Sequence, residues 1–188
     1  MKQFTNHFFI NTVLVALLFF MLVPVSMAAQ PEVGESIALT LPTPYNQAGK
    51  MALGLNEGSA TFTLSDLKSE IVLLEVIGVY CPQCFKQAPV FNNLYGRLNK
   101  GKIKGRVTMF AIAAGGTDQE IEQLVKNGQY TFPVVSDMKY EIHKILGEPK
   151  TPFTIICRPD GTILDTHLGI IDDIDKFYGQ IKGFLKKP

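Results

Sequence analysis

Two cysteines that stand three positions apart, Cys81 and Cys84, are the residues of this sequence best suited to chemistry. The C-x-x-C spacing lets two thiols close a small disulfide ring, and it also occurs in zinc sites and at haem attachment sites. Haem attachment requires a histidine directly after the second cysteine, where this chain has Phe85. Zinc binding requires two further ligands, and the sequence has neither a second C-x-x-C nor a pair of histidines. The spacing therefore predicts a redox-active disulfide that needs no metal and no other cofactor.

The predicted elements on either side of this pair make the two cysteines unequal. Ile71–Val79 is apolar and β-branched, which is typical of a central strand covered on both faces. Pro82 then suits the first turn of a helix that continues to about Asn99. The start of a helix favours a thiolate at Cys81, whereas Cys84 lies one turn further in and is expected to be shielded. Cys81 is therefore predicted to attack a partner disulfide, and Cys84 to resolve the mixed disulfide.

A single carboxylate, Glu75, interrupts the apolar run that precedes the cysteines. Burying an ionised carboxylate is costly, so a buried Glu75 is expected to be protonated or hydrogen-bonded, with a raised pKa. From a position beneath the cysteines it is expected to accept the proton of Cys84 during resolution. The alternative is that this part of the strand is exposed on one side and that water solvates Glu75.

The third cysteine and one proline belong to a late apolar strand, Phe153–Cys157. Cys157 is predicted to pack as a small buried hydrophobe without a redox role. Pro152 stands directly before the strand, where proline is usually unfavourable. A cis Thr151–Pro152 bond would place a kinked loop there, but cis bonds are a minority of X–Pro bonds and the sequence alone does not favour one.

The order of the predicted elements indicates an α/β domain. Strands are predicted at five places in the main part of the chain: Ile71–Val79, Val107–Ala113, Phe132–Val135, Phe153–Cys157 and Thr162–Thr166. A helix is predicted after each of the first three strands, and another closes the chain from Asp172 to Leu185. The last two strands meet at Pro159-Asp160-Gly161, a hairpin signal. This order implies a mixed central β-sheet with helices on both faces.

The first part of the chain has the features of an export signal. Residues 1–29 contain Lys2, an apolar run from Val13 to Val25 and then small residues, which together predict a secretory signal peptide. The alternative is an uncleaved anchor, the only case in which contact with the membrane is expected. Residues 30–188 are predicted to form one domain, located in the periplasm or on the extracytoplasmic face of the membrane. The net charge is +1 with no basic run, so nucleic acid is not expected as a partner.

These features together resemble the thioredoxin superfamily, and within it the exported oxidoreductases of the TlpA/ResA type. Glu75 stands six positions before Cys81, where thioredoxin and protein disulfide isomerase carry an acid. Pro89 stands five positions after Cys84 and matches a helix proline of the superfamily. Thr151-Pro152 matches the loop with a cis-proline that faces the cysteines in these proteins.

The resemblance implies a thioredoxin-like fold with an N-terminal extension and an inserted βα element. It implies an exported thiol–disulfide oxidoreductase that acts on protein thiols and disulfides, with a membrane thiol–electron donor as a second candidate partner. The implied catalytic residues are Cys81, Cys84, Glu75 and Pro152. The implied substrate-binding residues are Tyr80, Pro82, Gln83 and Thr151.

Three residues depart from the family pattern near the cysteines. Tyr80 replaces the tryptophan that is usual before the first cysteine. Gln87 stands where ResA-like proteins often carry a glutamate. Gln83 cannot carry the positive charge of the histidine found in strong periplasmic oxidants, so a reductant or a general exchanger is favoured.

The alternative functions are those of a thiol peroxidase and of a copper chaperone of similar fold. A peroxiredoxin normally has a threonine three positions before its reactive cysteine, where this chain has Gly78. The copper chaperones use Cys-x-x-x-Cys and a histidine before the late strand, where this chain has Lys150-Thr151. His143 and His167 are predicted to be ordinary structural or surface histidines.

Overall fold

A five-stranded mixed sheet forms the centre of the domain. The computed structural model describes residues 30–185. The seven strands are β1 (Thr40–Pro42), β2 (Thr61–Thr63), β3 (Ile71–Gly78), β4 (Val107–Ala114), β5 (Val134–Asp137), β6 (Phe153–Cys157) and β7 (Ile163–Leu168). The central sheet has the order β5-β4-β3-β6-β7. Strands β3, β4 and β5 are parallel, β6 is antiparallel to β3, and β7 is antiparallel to β6. The predicted mixed sheet is confirmed, with β3 in its middle.

Helices cover both faces of this sheet, as the sequence predicts. They are α1 (Gln47–Ala52), α2 (Pro82–Leu98), α3 (Asp118–Lys126), α4 (Glu141–Ile145) and α5 (Ile174–Phe184). One face packs against α2, α3 and α5 through Phe91, Ile121 and Phe177. The other face packs against α4 and against the segment before β3, through residues such as Ile142 and Leu41. The domain therefore has two apolar layers, and the face under α2 is the one beneath the cysteines.

The segment before β3 lies against the domain, as predicted for an N-terminal extension. Its strands β1 and β2 form a separate antiparallel pair, and Leu41 and Phe62 from them are buried in the second layer. The sequence of this segment also predicts a short strand at Ile37–Leu41, and the observed strand lies further toward the C-terminus, at Thr40–Pro42. Helix α1 was not predicted, although the side chain of Asn46 caps it by accepting a hydrogen bond from the Gly49 N–H at 2.7 Å.

Two other boundaries differ from the predictions for identifiable reasons. Strand β5 begins at Val134, two residues later than predicted. Pro133 has no N–H to donate, and only its carbonyl bonds to β4, accepting from Ala111 N at 2.9 Å. Helix α5 begins at Ile174, because Asp173 caps it by accepting from Lys176 N. The predicted signal peptide lies outside the described residues, and among residues 30–185 no helix is long and apolar enough to cross a membrane.

Cys157 is buried in β6, and we predict that it is dispensable. Burial, with a smaller effect from Asp160, raises the pKa of the Cys157 thiol to about 12, so almost no thiolate exists at neutral pH. Cys157→Ala is expected to keep full disulfide-exchange activity and to lose about 1 kcal/mol of unfolding free energy. Thiol labelling of the reduced native protein, followed by mass spectrometry, is expected to modify Cys81 long before Cys157. Labelling of both at similar rates would contradict this assignment.

Candidate functional site

The two cysteines form a disulfide at the start of α2. Their Cα atoms are 5.3 Å apart, and the pair joins the N-cap residue Cys81 to the first turn of the helix. The Cys81 sulfur accepts a hydrogen bond from the Cys84 N–H at 3.1 Å. Cys81 is half-buried and Cys84 is fully buried, which is the asymmetry expected from the sequence. A partner sulfur can therefore approach Cys81 but not Cys84.

The loop before β6 lies directly against Cys81. The Thr151–Pro152 peptide bond is cis, and the carbonyl oxygen of Thr151 is 3.5 Å from the Cys81 sulfur. Pro152 is buried, and its own carbonyl accepts a hydrogen bond from Gly169 N at 2.9 Å. The structure thus brings together the two parts of the site that are 70 residues apart in the chain.

Glu75 is fully buried in β3, with 0% of its surface exposed. The alternative of a solvated Glu75 is therefore wrong. Its Oε1 accepts a hydrogen bond from the Gln87 side-chain amide at 2.8 Å. Burial raises the pKa of Glu75 to about 8, and the bond from Gln87 opposes that rise in part. The carboxyl group is therefore largely protonated at neutral pH and can ionise near it.

Gln87 is the partner of Glu75 that sequence reasoning missed. It lies one turn after Cys84 on the buried face of α2, and its Oε1 accepts the backbone N–H of Ile171 at 2.8 Å. Since that N–H can only donate, the amide has one possible orientation, with its NH₂ group toward Glu75. The sequence signal was its position on the apolar stripe of α2, three residues after Cys84. In the sequence, Gln87 stands out only as a departure from the family pattern.

Tyr80 occupies the exposed rim of the site. Its side chain is 79% exposed, and its hydroxyl donates a hydrogen bond to Glu120 at the start of α3. The spacing of Thr117 and Glu120 predicts a capping box at the start of this helix, and the structure contains it. The hydrogen bond raises the pKa of Tyr80 and lowers that of Glu120, so a fixed negative charge stands beside the ring. Pro82 and Gln83 are also exposed, and neither side chain forms a hydrogen bond with another described residue.

The two predicted structural histidines lie outside this site. The His143 ring contacts the carbonyl oxygen of Pro149 at 2.9 Å, and the His167 ring contacts that of Ile170 at 3.1 Å. Within residues 30–185, no three His, Cys, Asp or Glu side chains are grouped so that they could hold a metal ion.

The sheet order, the disulfide at the start of α2 and the facing cis-proline loop define a thioredoxin-like protein, and solved structures agree. The thioredoxin domain of a thiol-disulfide oxidoreductase from Bacteroides vulgatus is similar, with a TM-score of 0.59 and 20% identity over 84% of this chain and 100% of that one. StoA from Bacillus subtilis is similar, with a TM-score of 0.58 and 19% identity over 78% and 99% of the two chains. The fold is therefore thioredoxin-like.

The family follows from the sequence match. The AhpC/TSA family profile matches residues 44–169, and the chain belongs to this family. Among curated relatives, the thiol-disulfide oxidoreductase ResA of Bacillus thuringiensis (strain Al Hakam) is 32% identical over 124 residues. That alignment covers 66% of this chain and 66% of the relative's length.

The role of Gln87 can be tested by removing its amide. In Gln87→Leu, the pKa of Glu75 is expected to rise further above about 8, because the carboxylate loses a hydrogen-bond donor. The variant is also expected to lose about 1–3 kcal/mol of stability, since the Ile171 N–H loses its acceptor. Carbon-13 NMR titration of the glutamate carboxyl groups in the oxidised protein measures the pKa. Gln123→Leu, on an exposed position of α3, is the matched control, and an unchanged Glu75 pKa in Gln87→Leu would refute the role.

Proposed function

We propose that this chain is an enzyme, a thiol–disulfide oxidoreductase that exchanges disulfides with partner proteins through Cys81 and Cys84. The observation that carries the proposal is the disulfide at the start of α2, with Cys81 accessible, Cys84 buried and the cis Thr151–Pro152 loop facing the pair. The similarity to proteins named thiol-disulfide oxidoreductase ResA supports the same activity.

The exchange proceeds in two steps, attack by Cys81 and resolution by Cys84. In the reduced protein, the Cys81 thiolate attacks one sulfur of a partner disulfide, forming a mixed disulfide and releasing the other partner sulfur as a thiolate. The Cys84 thiolate then attacks the Cys81 sulfur, which closes the internal disulfide and releases the partner in its reduced form. A dithiol donor returns the protein to its starting state by the reverse sequence.

Glu75 is proposed to move the proton that the second step requires. Cys84 must lose a proton before it attacks, and its side chain has no surface exposed to bulk solvent. Gln87 lies one helical turn after Cys84 and binds the Glu75 carboxyl group, which places the acid beneath the buried cysteine. An ionised Glu75 accepts the Cys84 proton, and a protonated Glu75 returns it when a reductant opens the disulfide.

The residues around Cys81 favour a reductant or a general exchanger. The Cys81 sulfur in the disulfide has one backbone N–H as donor and a carbonyl oxygen beside it, and the nearby exposed side chain of Gln83 carries no charge. With no cationic side chain in the motif, the Cys81 thiolate is stabilised less than it would be by a histidine at position 83. Tyr80, Pro82, Gln83 and Thr151 are proposed to contact the partner chain.

Export is part of the same proposal. Residues 1–29 have the composition of a secretory signal, and disulfide exchange serves proteins that fold outside the cytoplasm. We propose that the domain works in the periplasm or on the extracytoplasmic face of the membrane. Its electrons would come from a membrane protein that carries a dithiol.

Cysteine variants test the exchange reaction. With a dithiol supply, the purified domain is expected to reduce insulin disulfides, and Cys81→Ala is expected to lose all turnover because the attacking sulfur is gone. Cys84→Ala is expected to accumulate mixed disulfides with substrate, visible on non-reducing gels, because attack survives and resolution does not. Cys157→Ala is the control and should behave as wild type. Turnover of hydrogen peroxide instead of insulin, or tight copper binding by the reduced protein, would replace this proposal with one of the two rival functions.

A pH series tests Glu75. In wild type, the resolution rate is expected to rise as pH increases through about 8, because the ionised carboxyl group is the proton acceptor. Glu75→Gln keeps the volume of the side chain and removes the acceptor, so resolution should slow by roughly 10²-fold near neutral pH while attack by Cys81 changes little. Rapid-mixing kinetics with a model disulfide separate the two steps. Equal resolution rates in both proteins at every pH would exclude Glu75 from proton transfer.

A further inference from the structure

Three buried side-chain oxygens make no hydrogen bond with any other described residue. They are Glu75 Oε2, Thr154 Oγ1 and the hydroxyl oxygen of Tyr130. Thr154 and Tyr130 are each 1% exposed, and Glu75 is 0% exposed. A buried polar group without a partner destabilises a fold, so most such groups in proteins are paired with protein atoms or with ordered water. Three such oxygens in one small domain therefore require an explanation.

Two of the three oxygens belong to directly opposed residues. Glu75 in β3 is paired with Thr154 in β6 in the antiparallel register. Opposed residues of an antiparallel pair point to the same face, with Cβ atoms about 4.5–5.5 Å apart. Thr154 is also the only polar residue in the apolar strand Phe153–Cys157. The hydroxyl and the carboxyl group therefore lie side by side on one face of the sheet.

Tyr130 reaches the same region from the loop after α3. Its ring is part of the core layer beneath α2, the layer that also contains Ala111 and Cys84. Burial, and to a smaller extent the negative charge of Glu75, raise the pKa of the Tyr130 hydroxyl. The shared layer puts the Tyr130 ring on the side of the sheet that Glu75 faces, and the electrostatic effect of Glu75 on the hydroxyl agrees with this placement. The third oxygen thus lies in the same core layer as the other two.

The hydrogen bond from Gln87 determines which oxygen of Glu75 carries the proton. Oε1 accepts from the Gln87 amide, whose orientation is fixed by the Ile171 N–H. The acid proton is therefore held on Oε2, the oxygen that has no protein partner. The group that meets Oε2 must accept a hydrogen bond when Glu75 is protonated and donate one when it is ionised. A water molecule does both, and a buried water typically makes about three hydrogen bonds.

We propose that Glu75, Thr154 and Tyr130 enclose a binding site for one ordered water molecule, and that Thr154 is a positioning residue which holds this water against Glu75 Oε2. The proposal rests on the proton-transfer role of Glu75 proposed above and adds two residues to it. The water donates to the carboxylate when Glu75 has lost its proton, and it accepts from the carboxyl group when Cys84 has given its proton away. Neither protonation state then leaves Oε2 unpaired.

The groups that surround Glu75 limit what else could titrate there. On the same face, α2 contributes Cys84 and Gln87, β4 contributes Ala111, and α5 contributes apolar side chains including Phe177. Asp137 is the other buried carboxylate within residues 30–185, and it binds the backbone of α4 on the opposite face. In the oxidised protein, Cys84 is in the disulfide, so Tyr130 is the only other titratable group of the cluster.

Carbon-13 NMR titration of the oxidised protein tests the proposal without any exchange reaction. Thr154→Val removes the hydroxyl at constant shape, and the pKa of Glu75 is expected to rise by about one pH unit, because the carboxylate loses the water that donates to it. Thr154→Ser keeps a hydroxyl and should restore the wild-type pKa. Thr166→Val, in β7 opposite Ile155 and so on the other face of the sheet, is the matched control.

A high-resolution crystal structure of the oxidised wild-type protein provides the second measurement. Density for a water molecule within hydrogen-bond distance of Glu75 Oε2 and Thr154 Oγ1 would support the site. The proposal is overturned if the crystal shows no such water, or if Thr154→Val leaves the Glu75 pKa unchanged. Insulin reduction by the wild-type protein is measured in a separate assay, which tests the proposed function. Loss of the water site with normal turnover would remove this inference alone, and an intact water site without turnover would remove the proposed function alone.

Discussion

Glu75 lies in the central strand of the sheet with no exposed surface, and the cost of leaving its carboxyl group unpaired constrains the elements around it. Helix α2 must lie at a depth and rotation that bring Gln87 to within 2.8 Å of the carboxyl group. Since Cys84 is one turn before Gln87, the same rotation buries Cys84 and leaves Cys81 at the surface. The asymmetry of the two cysteines and the position of the acid are therefore two results of one packing arrangement.

Gln87 also connects this packing to the loop system beside the cysteines. Its second hydrogen bond is to Ile171, and Gly169 in the same loop bonds to the carbonyl of Pro152. Hydrogen bonds from the two ends of segment 169–171 thus link the cis-proline loop to the Glu75 carboxyl group through Gln87. A partner chain that displaces this loop would act on the surroundings of Glu75. The loop and the acid are therefore parts of one hydrogen-bonded unit, although they lie on different elements.

Much of the fold follows from local sequence patterns, and the site follows from them only in part. The sequence predicts the features that depend on neighbouring residues. These are the apolar run of β3, the capping box of Thr117 and Glu120, and the burial of Cys157. Helix α1 was missed because it has only six residues within a segment rich in turn formers. The hydrogen bond from the Ile171 N–H to Gln87 joins residues 84 positions apart, and the one from Tyr80 to Glu120 joins residues 40 positions apart, so only the folded chain brings them together.

A carboxyl group that holds its proton in the folded state but not in the unfolded chain makes the stability of the fold depend on proton concentration. The pKa of Glu75 is raised from 4.5 to about 8, so between these values the folded state binds one proton that the unfolded chain releases. The free energy of unfolding then falls as the pH rises, by at most about 1.4 kcal/mol per pH unit from this residue. Below pH 4.5 both states hold the proton, and the stabilising contribution of Glu75 to the free energy of unfolding is fully present. Above about pH 8 both states have lost the proton, and that contribution is gone. The contribution of Glu75 to the stability of the fold is therefore larger in acid than in alkali.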